Sequence, residues 1–415
     1  MKNLETLINE LCPEGVEFKP LWQVTAWDKK FNGVEKKWQQ KIISYPYVLA
    51  KVFDEIEEPS GNVKLLSTGI SDKERWTTEE KAGENLSEGE IVAIPWGGTP
   101  NVKYYKGKFV TADNRIATSL DCSILNNKFL YYWLNNNIKK LAKLYRGAGI
   151  QHPSMKGVLS LDIPLPPIEV QNEIVRILDK FTELEAELEA ELDCRKRQYE
   201  YYRDKLLSFE NVGGQNVEWK KMSEVGTFIR GNGLQKKDFT EAGVGCIHYG
   251  QLYTHYGTSA TKTITYCSPE LATKLRKASK GDVVIATTSE NVEDVCKAVA
   301  WLGDNDVAVS GDAFIYKHNQ NPKYMAYLFQ TLDFFNYKKK KATGTKVIRL
   351  SGDAMGNYLA PIPPLAEQER IVSILDRFES LTTSLTAGLP AEIAARRKQY
   401  EHYRDKLLTF KRKSA

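Results

Sequence analysis

The sequence lacks the features of membrane and secreted proteins. No apolar run approaches the ~20 residues that a membrane-spanning helix needs, and the opening stretch, MKNLETLINELCPEGVEF, contains acidic side chains instead of a continuous apolar segment. A secretory signal peptide is therefore not expected. The six cysteines include no C-x-x-C pair, which indicates reduced thiols rather than a disulfide framework. These absences predict a cytoplasmic protein with no membrane partner.

The sequence also lacks the motifs of several enzyme classes. It has no G-x-x-x-x-G-K-[ST] loop, so ATP-driven translocation is not encoded, and it has no Asn-Pro-Pro-aromatic motif of amino-methyltransferases. Its many acidic residues are not spaced as metal ligands. The set nearest to a zinc site matches no standard spacing: Cys246, His248, His255 and Cys267. We expect no catalytic residue, no metal and no cofactor bound by this chain.

Charge is distributed unevenly along the chain. The formal net charge of +5 is small for 415 residues and does not by itself indicate a nucleic-acid partner. Residues 165–209 contain eleven acidic and seven basic side chains, and residues 361–410 contain seven of each. The positive excess therefore lies outside these two segments, in the parts that precede them and in the terminal KRK.

The chain contains an internal repeat. IPLPPIEVQNEIVRILDKF, which ends at Phe181, matches APIPPLAEQERIVSILDRF, which ends 197 residues later at Phe378. QYEYYRDKLL, which begins at residue 198, returns as QYEHYRDKLL at residue 399, an offset of 201. The second copy is therefore four residues longer between the two motifs. These matches indicate a tandem duplication.

Similarity between the halves is weaker before these motifs. GVEFKPLWQV resembles NVEWKKMSEV, GEIVAIPW resembles GDVVIATT, and FLYYWL resembles YMAYLF. Each half is thus one divergent segment followed by a well-preserved helix. We predict four parts: a first variable domain (1–164), a central helix (165–210), a second variable domain (211–360) and a C-terminal helix (361–415).

The preserved segments predict long helices. A Pro-Pro pair precedes the apolar periodicity in each copy, where proline can begin a helix but cannot continue one. Leucines and tyrosines then recur at spacings of three and four, a stripe suited to packing on the duplicate helix. Gly388 and Pro390 predict a kink or break in the second copy. The stripe positions assigned to the spacer and partner helices are Leu184, Leu188, Leu192, Tyr199, Leu206, Leu381, Leu385, Tyr400 and Leu407.

The variable segments predict mixed α and β structure. Short β-like runs (EIVAI, FVTA, GDVVIATT, AVAWL and DAFIY) are bounded by Gly, Asn, Asp and Pro. Regular β-α-β alternation is lacking, so a doubly wound sheet is not expected. We predict an α+β fold in which two similar mixed α/β domains are separated by two long helices. Each long helix would pack its apolar stripe against the duplicate helix.

Two variable segments, each closed by P-x-P-P-x-x-x-Q-x-x-I-V-x-x-L-D and a long helix, resemble the specificity subunit of Type I restriction-modification enzymes. The resemblance covers essentially the whole chain and includes both QYExYRDKLL endings and the segments GAGIQHPSMKG and ATGTKVIRLSG. It implies that each variable segment is a target recognition domain that reads one half of a split double-stranded DNA sequence. The two helices would form an antiparallel coiled coil with pseudo-two-fold symmetry. This coiled coil would fix the distance between the half-sites and dock two modification subunits.

The resemblance also implies which cofactors the partner proteins use. The modification (methyltransferase) subunits would bind S-adenosylmethionine and methylate adenine. Restriction subunits, which use ATP and Mg, would complete the nuclease and translocase. The specificity subunit itself would carry out no reaction.

The run TELEAELEAELD (182–193) is consistent with a spacer. It repeats E-L-E-A with a period of four residues, so each unit adds about one helical turn, ~6 Å or a little under 2 bp of DNA rise. A helix from Ile174 to Phe209 would extend roughly 54 Å, more than one DNA turn of about 34–36 Å. In the family that the chain resembles, such a repeat varies and changes the gap between the half-sites. The run also describes a solvated helix face, and the two interpretations are compatible.

Candidate DNA contacts combine basic, amide and aromatic side chains near glycines. In the first domain WGGTPNVKYYKGK and LYRGAGIQH supply Trp96, Gly97, Lys103, Tyr104, Tyr105, Lys106, Arg146, Gln151 and His152. In the second domain IRGNGLQKK, CIHYGQLYTHYG and KKKKATGTK supply Arg230, Asn232, Lys236, Lys237, Tyr249, Gln251, Tyr253, Lys340 and Lys346. Part of the histidine–tyrosine pattern in CIHYGQLYTHYG follows the alternation of a strand.

Alternative interpretations stay open at this stage. The first loop could be a β-hairpin whose tyrosines only pack, and KKKKATGTK could be a solvated loop. The whole chain could be a coiled-coil scaffold that does not read DNA, or a DNA-modifying enzyme. The basic excess in the variable halves favours DNA recognition, because a scaffold does not require it.

Overall fold

The computed structural model describes residues 4–39, 41–70, 74–209, 217–383 and 388–413. The chain divides into two compact units. Unit 1 comprises residues 1–187 and 394–415, and unit 2 comprises residues 188–393. The segment predicted as the central helix is one continuous helix, Ile168–Ser208, whose residues belong in turn to unit 1 and to unit 2.

Unit 1 is built around a seven-stranded mixed sheet. The strands of the unit are β1 (Glu17–Pro20), β2 (Thr25–Asp28), β3 (Ile42–Ile43), β4 (Val63–Leu66), β5 (Trp76–Thr77), β6 (Ser87–Pro95), β7 (Lys103–Thr111), β8 (Asn114–Ser119), β9 (Tyr145–Arg146), β10 (His152–Pro153) and β11 (Asp162–Leu165). The sheet order is β3-β2-β8-β6-β7-β4-β5, with β2–β3 and β4–β7 parallel. Two-stranded sheets are formed by β1 with β11 and by β9 with β10.

The helices of unit 1 pack into two hydrophobic clusters, and Phe53 and Ala82 lie in the smaller one beside β4. The helices are Leu4–Leu11, Leu21–Val24, Val52–Ile56, Glu79–Ala82, Asn127–Asn136, Ile138–Ala142 and Met155–Leu159, with 3₁₀ turns at Lys36–Trp38 and Gly83–Asn85. Asn126 begins the helix of the FLYYWL motif, because its side chain accepts hydrogen bonds from the backbone N–H groups of Lys128 and Phe129. Phe129 and Leu134 of this helix are completely buried.

Unit 2 contains a five-stranded and a four-stranded sheet. Its strands are β12 (Glu218–Lys221), β13 (Gly226–Arg230), β14 (Val244–Ile247), β15 (Ser259–Ala260), β16 (Thr265–Cys267), β17 (Lys277–Ala278), β18 (Val283–Ala286), β19 (Thr288–Ser289), β20 (Ala298–Trp301), β21 (Val307–Val309), β22 (Ala313–His318), β23 (Ile348–Arg349) and β24 (Leu359–Ile362). The orders are β13-β22-β18-β20-β15 and β16-β14-β21-β17, and β12–β24 and β19–β23 are separate pairs.

The helices of unit 2 include one that the sequence did not predict. They are Met222–Val225, Tyr249–Thr254, Pro269–Ala272, Pro322–Leu328, Leu332–Lys341 and Gly352–Gly356, with a 3₁₀ turn at Lys236–Asp238. The strand alternation expected around residue 250 is wrong, because a reciprocal cap begins a helix there. His248 Nδ1 accepts from the Gly250 N–H, and Gln251 Oε1 accepts from the His248 N–H.

The two units close in the same way. In unit 1, β1 pairs antiparallel with β11, which places Glu17 opposite Leu165. In unit 2, β12 pairs antiparallel with β24, which places Glu218 opposite Ile362. The strand that opens each variable segment therefore holds the strand that leads into the following helix.

A buried glutamine anchors the first turn of each following helix. Gln171 is fully buried; its Nε2 donates to the carbonyl oxygens of Pro166 (2.7 Å) and Ile124 (2.8 Å), and its Oε1 accepts from the Asn126 N–H at 2.9 Å. Gln368 makes the equivalent bonds to proline and asparagine in unit 2. Since an unpaired buried amide is costly, glutamine is required at this position of the motif.

The aspartate of the L-D motif makes a second connection about two helical turns further along. Asp179 accepts from Lys128 Nζ at 2.8 Å and from the Tyr132 hydroxyl at 2.6 Å. In unit 2, Asp376 holds the equivalent lysine and tyrosine at 2.7 and 2.8 Å. The repeated motif thus fixes each helix rigidly to the globular part of its own unit.

The helices pair antiparallel, as the sequence predicts. In unit 1, Phe181 lies 6.3 Å from Tyr400 and 5.7 Å from Tyr403, measured between ring centroids. In unit 2, Tyr202 stacks on Phe378 at 5.6 Å. The beginning of the central helix therefore meets the end of the C-terminal helical segment, and its end meets the beginning of that segment.

The C-terminal segment forms two helices, Leu365–Thr383 and Gly388–Leu407, as the Gly-Pro interruption predicts. Gly388 has a φ of +78°, and a side chain there would lie 2.6 Å from the carbonyl oxygens of Ser380 and Leu381. Pro390 falls in the first turn of the second helix, where its missing N–H has no helical partner to lose.

The predicted stripe holds over most of its length. Most of the predicted stripe positions are at least half-buried: Leu184, Leu188, Leu192, Tyr199, Leu206, Tyr400 and Leu407. Leu381, two residues before the end of its helix, departs from the prediction with 36% exposure. Leu385 lies outside the described residues.

The last residues of the chain complete unit 1. The Val16 N–H donates to the Lys411 carbonyl at 2.9 Å, and the Lys413 N–H donates to the Val16 carbonyl at 2.9 Å. Arg412 forms an ion pair with Asp162 at 2.7 Å. Within the described ranges, no helix is both long and apolar enough to cross a membrane.

Candidate nucleic-acid interface

Two loops that the sequence singled out separately meet in unit 1. The loop between β6 and β7 lies against the turn between β9 and β10. The Gly98 N–H donates to the Gln151 carbonyl at 3.0 Å, and His152 Nδ1 lies 2.8 Å from the Trp96 carbonyl oxygen. The two loops therefore present one continuous surface.

Trp96 is held in place from two sides. The Arg115 guanidinium lies 3.9 Å from the centre of its ring, and the His152 ring lies 5.2 Å away at a tilt. Arg115 is itself buried and paired with Asp113 at 2.8 Å. The cation–π contact and the ion pair orient the indole, so Trp96 contributes a fixed, half-exposed aromatic surface.

Glycines permit the close approach of the two loops. A side chain at Gly97 would lie 3.0 Å from Ile150 Cγ2. Gly147 has a φ of +141°, and a side chain there would lie 2.6 Å from the Ile150 carbonyl oxygen. The turn between β9 and β10, which we call hairpin 1 (residues 145–153), therefore depends on glycine at its first turn position.

Exposed basic residues flank hairpin 1 along the chain. Residues 122–161 contain no Asp or Glu, and none of the ion pairs formed among the described residues involves the exposed members of this basic set: Lys139, Lys140, Lys143, Arg146 and Lys156. Only Arg146 was predicted as a DNA contact. The acid-free run was visible in the sequence and would have indicated the other four, since uncompensated lysines suit phosphate binding.

The lysines and tyrosines of WGGTPNVKYYKGK lie mostly on the sheet. Lys103, expected at the surface, is buried with 6% exposure, and its ammonium donates to Ser67 Oγ at 3.3 Å. The Tyr104 hydroxyl donates to Glu90 at 2.9 Å, and Lys106 pairs with the same carboxylate at 3.3 Å. Lys103 and Tyr104 thus have the partners of the packed β-hairpin alternative, in a strand that lies between β6 and β4. The Lys106 side chain stays 70% exposed beside its ion pair.

Two further members of that segment have protein partners as well. Tyr105 is half-buried and lies 6.3 Å from Phe109, edge to face. Lys108 pairs with Glu79 at 2.8 Å. The contacts available to a ligand in this part of unit 1 are therefore concentrated at the loop tip and at hairpin 1.

Unit 2 repeats the construction of unit 1. The strand pair β19–β23 places Ser289 opposite Ile348 and joins the loop after β18 to a turn at residues 343–349, which we call hairpin 2. Gly344 has a φ of +103°, and a side chain there would collide with the Val347 carbonyl oxygen. Ser289, Glu290 and Asn291, which align near Trp96 in the sequence, thus lie beside hairpin 2.

Hairpin 2 is also flanked along the chain by uncompensated basic residues. Residues 334–352 contain no Asp or Glu, and none of the ion pairs within the part of the chain that the structure describes involves Lys339, Lys340, Lys341, Lys346 or Arg349. The first lysine of the KKKK run differs. Lys338 is buried and donates to the carbonyl oxygens of Glu293 (2.7 Å) and Val295 (2.6 Å), and burial lowers its pKa.

The glycine-rich loop after β13 is held by its own polar side chains. Asn232 Nδ2 donates to the Lys274 carbonyl at 3.0 Å, and its Oδ1 accepts from the Arg276 N–H at 2.7 Å. Arg230 Nε donates to the Gly311 carbonyl at 2.7 Å. Both ends of the Asn232 amide are occupied, so this residue fastens the loop. The exposed charges of the loop are Lys236 and Lys237.

The residues of CIHYGQLYTHYG that were predicted to contact DNA mostly form hydrogen bonds within the protein. Gln251, expected at the surface, is buried with 8% exposure, and its Nε2 donates to Thr265 Oγ1 at 3.0 Å. The Tyr253 hydroxyl donates to the Thr288 carbonyl at 2.8 Å, and burial raises its pKa. Tyr249 is half-buried, and its N–H donates to Ser310 Oγ at 2.9 Å.

The cysteines and histidines of this region do not form a metal-ligand set. Cys246 and Cys267 are buried, while His255 is exposed. Cys246 Sγ lies 3.5 Å from Thr265 Oγ1, as in a weak hydrogen bond. Among the residues with described positions, no group of three or more His, Cys, Asp or Glu side chains could hold a metal ion.

Both units thus combine a short two-stranded ribbon with flexible basic side chains around it. Lysine and arginine neutralise phosphates, and Arg146, Gln151 and His152 carry donors and acceptors that suit base edges. A two-stranded ribbon has the width that the major groove of B-DNA admits. The arrangement therefore suits the binding of a nucleic-acid duplex.

A family comparison identifies what this arrangement is similar to. A family model described as the Type I restriction modification DNA specificity domain matches residues 49–193 and, a second time, residues 215–395. The two matches together cover more than half of the chain, and one falls in each half of the internal repeat.

Individual proteins give the same result. The Type I restriction enzyme EcoR124I/EcoR124II specificity subunit of Escherichia coli is 34% identical over 306 residues, which cover 71% of this chain and 74% of that protein. The Type I restriction enzyme MjaVIII specificity subunit of Methanocaldococcus jannaschii is 23% identical over 349 residues, or 78% and 81% of the two chains. The solved S subunit of a Type-I restriction-modification system from M. genitalium has the same fold, with a TM-score of 0.54 at 16% identity over 95% of this chain and 96% of that chain.

Proposed function

The chain belongs to the family of Type I restriction modification DNA specificity domains, and on this basis we propose that it is the DNA-recognition subunit of a Type I restriction-modification complex. The observation that carries the proposal is the double match of the family model, once in each half of a duplicated chain. Two recognition domains on one chain suit a target in two parts.

Each unit reads one half of a bipartite double-stranded DNA target. Exposed lysines around hairpins 1 and 2 supply the sequence-independent affinity for phosphates, while the ribbons and neighbouring loops supply base contacts. Because the two units carry different side chains at equivalent positions, such as Gln151 and Ile348, the two half-sites differ in sequence.

The helices act as a spacer and as the attachment site of the partner subunits. The rigid connections at Gln171 and Gln368 support this role, since a spacer measures a distance only if its ends cannot swivel. Two modification subunits dock on the helices, bind S-adenosylmethionine and methylate adenine. Restriction subunits, which use ATP and Mg, join the complex for cleavage. The chain itself is not an enzyme, binds no cofactor, and works in the cytoplasm.

Sequencing of modified bases in genomic DNA tests the proposal. Cells that express this chain with its modification subunits are expected to methylate one bipartite motif, and cells that express the modification subunits alone are expected to leave it unmethylated. The purified chain by itself should neither methylate nor cut DNA. Methylation or cleavage by the chain alone after stringent purification would contradict the proposal, and so would methylation without sequence preference, which a scaffold predicts.

A further inference from the structure

Each hairpin exposes one apolar residue at its tip. Ile150 of hairpin 1 is 70% exposed, and Val347 of hairpin 2 is 41% exposed. Each follows the turn glycine, Gly147 or Gly344, by three residues, and the two tips are 197 residues apart, the same offset as the helix motifs. The intervening residues have diverged: Ala148 and Gly149 in one copy, Thr345 and Lys346 in the other.

A single exposed apolar residue is ordinary on a protein surface, but these two share a position that the fold maintains. Each turn contains a glycine with positive φ and is closed by antiparallel pairing at its base, Arg146 opposite His152 in hairpin 1 and Thr343 opposite Arg349 in hairpin 2. Ile150 also lies close to Gly97, because a side chain at residue 97 would lie 3.0 Å from Ile150 Cγ2. The apolar tip is therefore presented rigidly in both units.

The surroundings of the tips identify the partner chemistry. Five exposed basic residues without ion pairs among the described residues lie along residues 139–156 in unit 1, and five more lie along residues 339–349 in unit 2. An apolar tip with basic residues on its shoulders is complementary to a duplex, in which two phosphate backbones border a groove that exposes base surfaces.

We propose that Ile150 and Val347 enter the major groove, each at its own half-site, and pack against base edges such as thymine methyl groups. This inference rests on the proposed function and assigns two specificity-determining residues within it. The lysines on the shoulders bind the flanking phosphates in any sequence, and the tip distinguishes the correct half-site, because apolar contact with a base edge is lost when the base is changed.

The test uses the complete complex of this chain with its modification subunits. The probe is a duplex that carries the bipartite site found by sequencing methylated DNA, and two competitor duplexes each have one half-site scrambled. Ile150→Ser is expected to weaken binding to the site by about tenfold and to remove most of the penalty for scrambling one half-site. Val347→Ser should do the same for the other half-site. The dependence of binding on salt should stay unchanged, since no phosphate contact is lost.

Matched variants separate the tips from exposed apolar residues in general. Ile124→Ser and Ile264→Ser alter isoleucines that are 47% and 49% exposed elsewhere in units 1 and 2, and both are expected to bind like the wild type. Ile150→Leu keeps an apolar tip and should retain binding within about twofold.

The outcomes distinguish an error in the assignment of the two tips from an error in the proposed function. If the wild-type complex discriminates its site and Ile150→Ser and Val347→Ser discriminate equally well, the inference about the tips is wrong and the proposed function stands. A smaller salt dependence in the serine variants would also overturn the inference, because it would assign the tips to backbone contacts. If the wild-type complex does not discriminate any duplex, the proposed function itself fails.

Discussion

Asp28 illustrates how a single residue connects the core to the candidate interface. It ends β2 with 2% exposure, and its Oδ1 accepts from the Ile116 N–H at 2.6 Å. Burial raises the pKa of this carboxyl to about 6, against the opposing effects of the Ile116 hydrogen bond and the nearby charges of Arg115 and Lys29. Arg115 in turn orients Trp96, so the strand end and the loop tip share one electrostatic environment.

Because the pKa of Asp28 is raised, replacing its carboxyl by a neutral group is predicted to increase the free energy of unfolding by an amount that depends on pH. The folded state binds more protons than the unfolded state between the unfolded pKa of about 4 and the folded pKa of about 6, so stability falls as pH rises through that window. Asp28→Asn keeps an oxygen for the Ile116 N–H without the charge. We expect it to raise the free energy of unfolding by about 2 kcal/mol at pH 7.5 and to change little below about pH 4.

Urea denaturation at several pH values would measure this difference, with Asp121→Asn as the control. Hydrogen bonds from Ser123 lower the pKa of Asp121, so its substitution should lose stability at neutral pH rather than gain it. An Asp28→Asn variant that is no more stable than the wild type at pH 7.5 would show that the charge is better solvated than its burial indicates.

At the scale of elements, the central helix combines a fixed start with an extensible middle. Gln171 and Asp179 hold its first turns to unit 1, while Leu184, Leu188 and Leu192 continue the stripe at a spacing of four residues, all of them half-buried. An insertion that preserves this spacing lengthens the helix without removing its apolar face.

Adding one E-L-E-A unit after Ala190 is expected to lengthen the gap between the recognised half-sites. Four residues add ~6 Å, a little under 2 bp of DNA rise, and rotate the following helix by about 40°. Sequencing of methylated DNA would give the new gap. Inserting two residues at the same place rotates the helix by about 160° relative to its partner and should abolish specific methylation. An unchanged gap in the four-residue variant would rule out the spacer role.

At the scale of the whole molecule, the duplication indicates that one variable part can be replaced by that of another family member without altering the other. Unit 1 is completed by residues 411–413, and the hydrogen bonds that join them to Val16 involve backbone atoms only. Such bonds do not depend on side-chain identity, although the Arg412–Asp162 ion pair does. The helix motif begins immediately after residue 164 and supplies Gln171 and Asp179 to the anchoring contacts, while Lys128 and Tyr132 on the other side belong to the exchanged segment.

Replacement of residues 1–164 by the corresponding segment of another family member is therefore expected to change one half of the target only. The other half-site and the gap should be retained, because unit 2 and the helices are unaltered. Sequencing of methylated DNA from cells with the chimaera and its modification subunits would show this, with the wild-type chain as the reference. Loss of specificity at both half-sites would contradict independent reading by the two units.

The sequence by itself determined the features that depend on residues near one another in the chain. Proline pairs and a spacing of three and four residues define the long helices locally, and the Gly-Pro interruption divides the second one. The offsets of 197 and 201 residues predicted the duplication, and the family resemblance predicted the antiparallel pairing seen between Phe181 and Tyr400 and between Tyr202 and Phe378.

Tertiary structure alone decided which side chains face solvent and which distant loops meet. Lys103, Gln251 and Lys338 are of residue types that often contact DNA, but they are buried by strands and loops that are distant from them in the sequence. The approach of Trp96 to hairpin 1 joins residues more than fifty positions apart. Composition describes a side chain's chemistry, whereas burial is a property of its neighbours, and contacts between distant residues are not encoded in any local pattern.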